Sequence, residues 1–182
     1  KRISELLKGV EYYITFGTLL GFVREGSLIK GDNDIDIHIN REDVSFVLDK
    51  INRQDWFNIG TRMKNYISLH PEGTARVDLI HYDIHEDHII DCFTYNPTHE
   101  FQDKFDRGDH DGSKCIWIPK NWVFPLTKKR FHGVEINAPS QPIDFIKYFY
   151  GEKWEKRLHK WRDYSEAVED NKLKITYYNH VS

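Results

Sequence analysis

The chain has 182 residues and a mass of 21.8 kDa, with 39% hydrophobic, 14% aromatic and 30% charged residues, proportions that exclude a disordered, fibrous or membrane-embedded chain. Lys plus Arg number 26 against 29 for Asp plus Glu, and the net charge of −3 supplies no positive field for gripping a nucleic-acid backbone. With Cys92 and Cys115 alone, a disulfide framework, a zinc ribbon and a CxxC redox motif are excluded.

A helix is expected over Ile3 to Lys8, where Ile3, Leu6, Leu7 and Val10 recur at helical spacing. Tyr12 to Phe16 reads as a strand, Gly17-Thr18 as a turn, and Leu19 to Val23 as a short helix stopping near Gly26. Tyr12 to Val23 is the best apolar stretch, but Thr15, Gly17, Thr18 and Gly21 interrupt it, so no membrane span is expected. Asp34 to Ile39 alternates polar with apolar residues, the period of a half-buried strand whose polar face carries Asp34 and Asp36. Glu42 to Ile51 is a second helix.

Strands follow over Phe57 to Arg62, Tyr66 to Leu69, Arg76 to His81 and His88 to Phe93, with His85-Glu86-Asp87 linking the last two. Thr98 to Lys114 is loop-like. Ile116 to Ile118 and Arg130 to Asn137 read as strands, and Ile143 to Tyr150 and much of Trp154 to Ala167 as helices. No repeat or linker breaks the chain, so residues 1–182 are expected to form a single α+β domain, a twisted mixed sheet flanked by helices. At this size about 70% of the unfolded surface is buried on folding, so a metal here would serve chemistry and not stability. The chain opens on Lys1, which points to a leader, an anchor or a further domain removed ahead of it and leaves the compartment illegible.

The chemistry concentrates between Phe16 and Asp36. Gly17 has no Cβ, so backbone can approach a phosphate closely, and the helix after it directs N–H groups and the positive end of its dipole at that anion. Thr18 adds a hydroxyl donor. Asp34 and Asp36 lie two apart on one strand, so their carboxylates project from one face and can share a divalent cation. A third acid must come from another strand: Asp78, inside the apolar run Val77-Asp78-Leu79-Ile80, is preferred, with Asp91 in Ile90-Asp91-Cys92 as its competitor. Arg24 can neutralise phosphate charge or pair with a neighbouring acid.

Gly17-Thr18-Leu19-Leu20-Gly21, with Arg24, Gly26, Ile29 and the aspartate cluster, resembles the LicD/fukutin-related group of the polymerase-β-like nucleotidyltransferase superfamily. Phe124-Pro125-Leu126, Phe131-His132-Gly133, Ala138-Pro139 and Tyr150-Gly151 followed by Trp154 look like the closing pattern of that group, so the resemblance runs from about residue 12 to 154, with 155–182 as a C-terminal extension. Lys30-Gly31 stand where the group often has Pro-Trp, Asn33 replaces one acid of its run, and the zinc-binding cysteine cluster of some animal members is absent. The resemblance implies metal-dependent transfer of a phospho-alcohol or phospho-sugar group from a nucleotide diphosphate-linked donor, typically a CDP conjugate, to a glycan hydroxyl. It implies Asp34, Asp36 and Asp78 as catalytic, metal-holding residues for Mg²⁺, with Mn²⁺ as the alternative ion, and Gly17, Thr18 and Arg24 as phosphate-binding residues. A nucleotidyltransferase that attaches a nucleoside monophosphate, or an inactive glycan- or nucleotide-binding module, are the alternative readings.

Weaker signals have plainer explanations. His81, His85 and His88 with Asp83 and Asp87 read as a hairpin with a solvated turn, and Asp106, Asp109 and Asp111 as an acidic loop lacking calcium-loop spacing. Trp117, Trp122, Phe124 and Tyr66 read as core aromatics, Lys128-Lys129-Arg130 as a solvated turn, and Lys153 to Arg162 as part of an amphipathic terminal helix.

Overall fold

The alternating run after Asn33 forms the strand around which the sheet is arranged. The computed structural model describes residues 2–63, 65–91, 115–157 and 175–176. Helix α1 (Arg2–Leu6), strand β1 (Tyr12–Ile14), helix α2 (Phe16–Glu25) and strand β2 (Asp34–Asn40) come first, then a 3-10 turn (Arg41–Asp43) and helix α3 (Val44–Asn52). Strands β3 (Phe57–Met63), β4 (Tyr66–Pro71), β5 (Arg76–His85) and β6 (His88–Asp91) follow. Strand β7 (Cys115–Pro119), the helical turn α4 (Lys120–Val123), strands β8 (Thr127–Phe131) and β9 (Val134–Ala138), helix α5 (Pro142–Tyr150) and strand β10 (Ile175–Thr176) complete the described elements.

The main sheet runs β1-β2-β5-β6-β7-β10, with β4 also on β5 and β3 on β4; β2 and β5 are parallel and the other pairs antiparallel. This is the mixed α+β sheet that the sequence predicts. Strand β5 is long enough to divide the edge facing away from β2, pairing with β4 along residues 77–80 and with β6 along 82–85. One sheet face, with Ile37, Ile39, Val77, Leu79, Ile67 and Leu69, packs on α1, the turn after it and α3 through Leu6, Leu7, Val47 and Ile51. The other packs on α2 and α5, where Leu19, Leu20, Phe145, Ile146 and Phe149 meet Tyr13, Tyr82, Ile89, Ile116 and Ile118. Each such side chain, fully buried, contributes roughly 1.5–3 kcal/mol.

That second cover is incomplete. His38, Ile80 and Tyr82, on the sheet face of α2, are at most 1% exposed. Asp34, Asp36 and Arg76, at the starts of β2 and β5 on the same face, remain partly or largely in water. The polar opening of the fold is therefore set by where these two parallel strands begin.

Several boundaries differ from the sequence reading. Strand β1 stops at Ile14, and Gly17 and Thr18 lie within the first turn of α2, not in a turn ahead of it. The corner falls at Thr15-Phe16 because Thr15 serves both elements: its N–H donates to the Asp36 carbonyl at 3.1 Å and its carbonyl accepts from the Leu19 N–H at 2.9 Å. Phe16 takes a φ of 39°, held there by edge contacts of its ring with His38 and Phe149 at 5.2 and 4.9 Å. Gly26, at φ 64°, ends α2 as expected.

The single strand expected over Arg130 to Asn137 is a hairpin, broken at His132-Gly133, where both residues have positive φ. Lys128-Lys129-Arg130 accordingly lie in β8 and not in a turn, with Lys128 paired to Glu135 at 3.0 Å. Trp154 to Arg157 form turns and not a helix, and the rest of that expected helix, like the Thr98 to Lys114 loop, lies outside the described residues. No helix among the described residues is long and apolar enough to cross a membrane.

Candidate active site

The register of β2 on β5 sets the site. Asp34 stands opposite Arg76 and Asp36 opposite Asp78, and Ser68 of β4 stands opposite Asp78 on its other side. Alternation puts all of these side chains on the face that α2 covers in part. Asp34, Asp36 and Asp78 thus share one end of one face, as the sequence reading requires. Asp78 is 5% exposed, and the donors that make its burial tolerable come from neighbouring strand positions: Tyr66 Oη at 2.8 Å, Ser68 Oγ at 3.0 Å and Arg76 Nε at 3.0 Å. All three reach Oδ1, which leaves Oδ2 without a donor among the described residues. Arg76 also grips Asp34 through Nη2, so one guanidinium ties two of the three acids.

Helix α2 approaches the acids with its N-terminal turn. A Cβ built on Gly17 would lie 2.9 Å from Asp32 Oδ2 and 3.2 Å from Asp36 Oδ2, so glycine is the residue that lets the helix start this close to the carboxylates. Thr18 is turned inward and is 1% exposed. Its Oγ1 accepts from the Asp36 N–H at 2.8 Å while its own N–H points to Asp36 Oδ2 at 3.4 Å. The hydroxyl expected to meet a phosphate is therefore buried against β2, and in this fold Thr18 fixes where Asp36 stands.

Charge is crowded here. Burial, then the carboxylates of Asp34, Asp78 and Asp32, push the Asp36 carboxyl up to about 8. Asp32 rises to about 7 through lost hydration and a hydrogen bond and charge shared with Asp34. Burial also raises Asp78, against the pull of its Tyr66, Arg76 and Ser68 donors, and holds the Tyr66 hydroxyl up at about 12, a donor at any working pH. Such shifts mark a cluster with more negative charge than its surroundings offset. Hard carboxylate oxygens from Asp34, Asp36 and Asp78 on one end of one sheet face suit Mg²⁺ or Mn²⁺, so the chemistry of the residues present fits a divalent ion. Among the described residues no three ligand side chains already stand gathered as a coordination sphere.

Residues 9–141 match the family described as LicD/FKTN/FKRP, nucleotidyltransferase domain. The chain belongs to that family. It carries a nucleotidyltransferase-like domain, in agreement with the resemblance read from Gly17-Thr18, the aspartates and the Phe131-His132-Gly133 and Ala138-Pro139 pattern, while Tyr150-Gly151 and Trp154 lie beyond the matched residues. An uncharacterized protein of Rickettsia typhi is 31% identical over 159 residues, covering 86% of this chain and 45% of its own length. One from Rickettsia prowazekii is 25% identical over 160 residues, covering 86% of this chain and 53% of its own. The chain thus spans about half the length of the curated relatives it matches. Among solved structures, the lincosamide antibiotic adenylyltransferase LnuA with lincomycin bound aligns with a TM-score of 0.52 at 15% identity, covering 92% of this chain and 94% of that one, a likeness of fold.

Other expected residues of this LicD-family domain lie apart from the acids. Arg24 is six residues past Thr18, about 9 Å along the helix axis, and its guanidinium binds Glu25 at 2.9 Å and the carbonyls of Trp154 and Lys156 at 3.3 and 3.4 Å. Of the two roles the sequence allows it, the structure realises the acid pairing, and the phosphate role has no geometric support. Asp91, the competitor for third acid, has its Oδ2 3.1 Å from His38 Nε2, both side chains wholly buried. His85 and His88 face each other across the β5–β6 hairpin and Asp83 pairs with Arg41, so the histidine-rich stretch is structural. Trp122 and Phe124 pack on Tyr148 and Tyr82. Asp32, Ser68 and Arg76 also belong to the site, beyond the residues the sequence reading names; the signal for Arg76 is its place two residues before Asp78 and so on the same face of the strand.

Proposed function

We propose that this domain transfers a phospho-alcohol or phospho-sugar group from a CDP-linked donor to a glycan hydroxyl, forming a phosphodiester. The observation that supports it most is the row Asp36–Asp78–Ser68 across three strands, with Asp34 beside it and the N-terminal turn of α2 above it. Asp34, Asp36 and Asp78 would hold Mg²⁺, or Mn²⁺, which when bound supplies charge stabilisation to the donor diphosphate. Gly17 lets the helix start close to the acids, and the dipole of that helix terminus would favour the charge of a donor phosphate there. Thr18 keeps Asp36 in register through two contacts. Tyr66 and Ser68 hold Oδ1 of Asp78, so that Oδ2 faces the reaction, and the raised proton affinity of Asp78 suits it to accept the proton of the attacking hydroxyl. The hydroxyl oxygen bonds to the head-group phosphorus as the bond to cytidine monophosphate breaks, and the nucleotide leaves with the electron pair.

The test is incubation with CDP-linked donors and glycan acceptors in Mg²⁺ or Mn²⁺, following cytidine monophosphate release, with Asp34→Ala and Asp36→Ala as controls. Turnover that either substitution leaves undiminished refutes the assignment. Release of pyrophosphate from a nucleoside triphosphate would instead identify nucleotidyl transfer, and donor binding without product an inactive module.

A further inference from the structure

Arg76 occupies an unexpected place for a residue in an acid site. It stands opposite Asp34 and two positions before Asp78, its Nη2 on Asp34 Oδ2 and its Nε on Asp78 Oδ1 at 3.0 Å. Its backbone is fastened as well, the N–H donating to the Asn33 carbonyl at 3.0 Å, so the origin of the side chain is fixed while 42% of the side chain stays exposed to solvent. Among the described residues, Arg76 is the cation that bridges Asp34 and Asp78 within the cluster of Asp32, Asp34, Asp36 and Asp78. The same guanidinium explains why these acids share a face yet do not stand gathered as ligands: two of them are turned to Arg76.

The geometry points to Arg76 as the resident counter-ion of the acid cluster, occupying Asp34 and Asp78 until a divalent cation displaces it, and thereby setting the affinity of the site for that cation. The inference rests on the metal-holding role proposed above for Asp34, Asp36 and Asp78. A planar fork with two donors at fixed spacing can bridge two carboxylates on adjacent strands; a lysine, a point charge, can satisfy one well. Arg76 is on this account a positioning residue. Without it the acids repel one another more strongly, and a cation entering them has no guanidinium to dislodge.

The experiment titrates Mn²⁺ into the full chain by electron paramagnetic resonance for the wild type, Arg76→Gln, Arg76→Lys and Asp36→Asn, with thermal unfolding measured alongside. Arg76→Gln is expected to bind Mn²⁺ at least tenfold more tightly than the wild type while melting at lower temperature without metal, and Mn²⁺ restores the melting temperature. Arg76→Lys falls between the two. In the wild type, one arginine Nε–H resonance, missing in Arg76→Lys, shifts as diamagnetic Mg²⁺ is added, a reading that survives if Arg76→Gln does not fold. A purely structural arginine would lower the melting temperature and leave affinity unchanged. Unchanged or weaker Mn²⁺ binding in Arg76→Gln, or an Nε–H resonance indifferent to Mg²⁺, overturns the inference while Asp36→Asn still abolishes binding. If the wild type shows no binding that Asp36→Asn removes, the metal reading itself fails and takes this one with it.

Discussion

Replacing Gly17 by Ala separates what the glycine does for the site from what it does for the fold. Ordinary contact begins near 3.4 Å, so a new methyl at 2.9 Å from Asp32 and 3.2 Å from Asp36 must push those oxygens away by about 0.5 and 0.2 Å, the differences from that limit. Both atoms are ends of side chains, which places the overpacking cost at the low end of the usual range of about 1–3 kcal/mol. Alanine in a helix returns about 1 kcal/mol. The net change in stability is thus within about 1 kcal/mol, but the displaced Asp36 loses its contact with the Thr18 N–H, and disturbing the support of a ligand typically weakens metal binding by about 10–100-fold. Gly21→Ala is the control: its methyl would strike the Ser27 carbonyl and Ile29 nitrogen at 2.6 and 2.9 Å, backbone atoms that cannot turn aside, so about 3 kcal/mol or more is lost. Chemical denaturation and Mn²⁺ titration of both variants provide the comparison. Wild-type Mn²⁺ affinity in Gly17→Ala, or a stability loss as large as that of Gly21→Ala, would refute the argument.

The Asp36 carboxyl, at about 8 in the folded chain against 3.8 ordinarily, retains a proton that the unfolded chain releases. Its stabilising contribution is complete below pH 4 and is lost as pH rises toward 8, so metal-free Asp36→Asn gains stability relative to wild type over that interval in thermal melts. Cation affinity moves the opposite way, rising up to about tenfold per pH unit between 6 and 8 for each proton displaced; an affinity flat with pH would contradict this. Asp91→Ala strands the buried His38 ring and costs at least about 1–3 kcal/mol in denaturant unfolding, while Mn²⁺ affinity measured on the folded fraction stays that of wild type; loss of cation binding would make Asp91 the third acid after all.

How much of this could be read in the chain differs by residue. The alternation of Asp34 to Ile39 made both strand and acid face legible, because period two is a local property. Asp78 was legible as a buried charge needing partners, but so was Asp91, and the two differ only through strand placement: Asp78 meets Asp36 through a parallel pairing, whereas Asp91 reaches His38, 53 residues away in sequence. Such pairings leave no local trace. Thr18 shows the same limit on a smaller scale, since spacing places a hydroxyl at a helix start without saying that it turns inward. Arg76 bears none of the chemistry of a metal ligand, and only its two-residue offset from Asp78 marks it in the sequence as sharing that strand face. The β8–β9 hairpin looks like one strand in the sequence because the His132-Gly133 turn sits inside a run with strand character on both sides.

The central claim is tested most directly by a crystal of the protein grown with Mn²⁺ and a CDP-linked donor, with data collected at an energy where manganese scatters anomalously. The account predicts an anomalous peak bonded to carboxylate oxygens of Asp34 and Asp36, the donor diphosphate beside Gly17, and Asp78 facing the same ion or the head-group phosphorus. A peak elsewhere, or a diphosphate bound away from the start of α2, would contradict it.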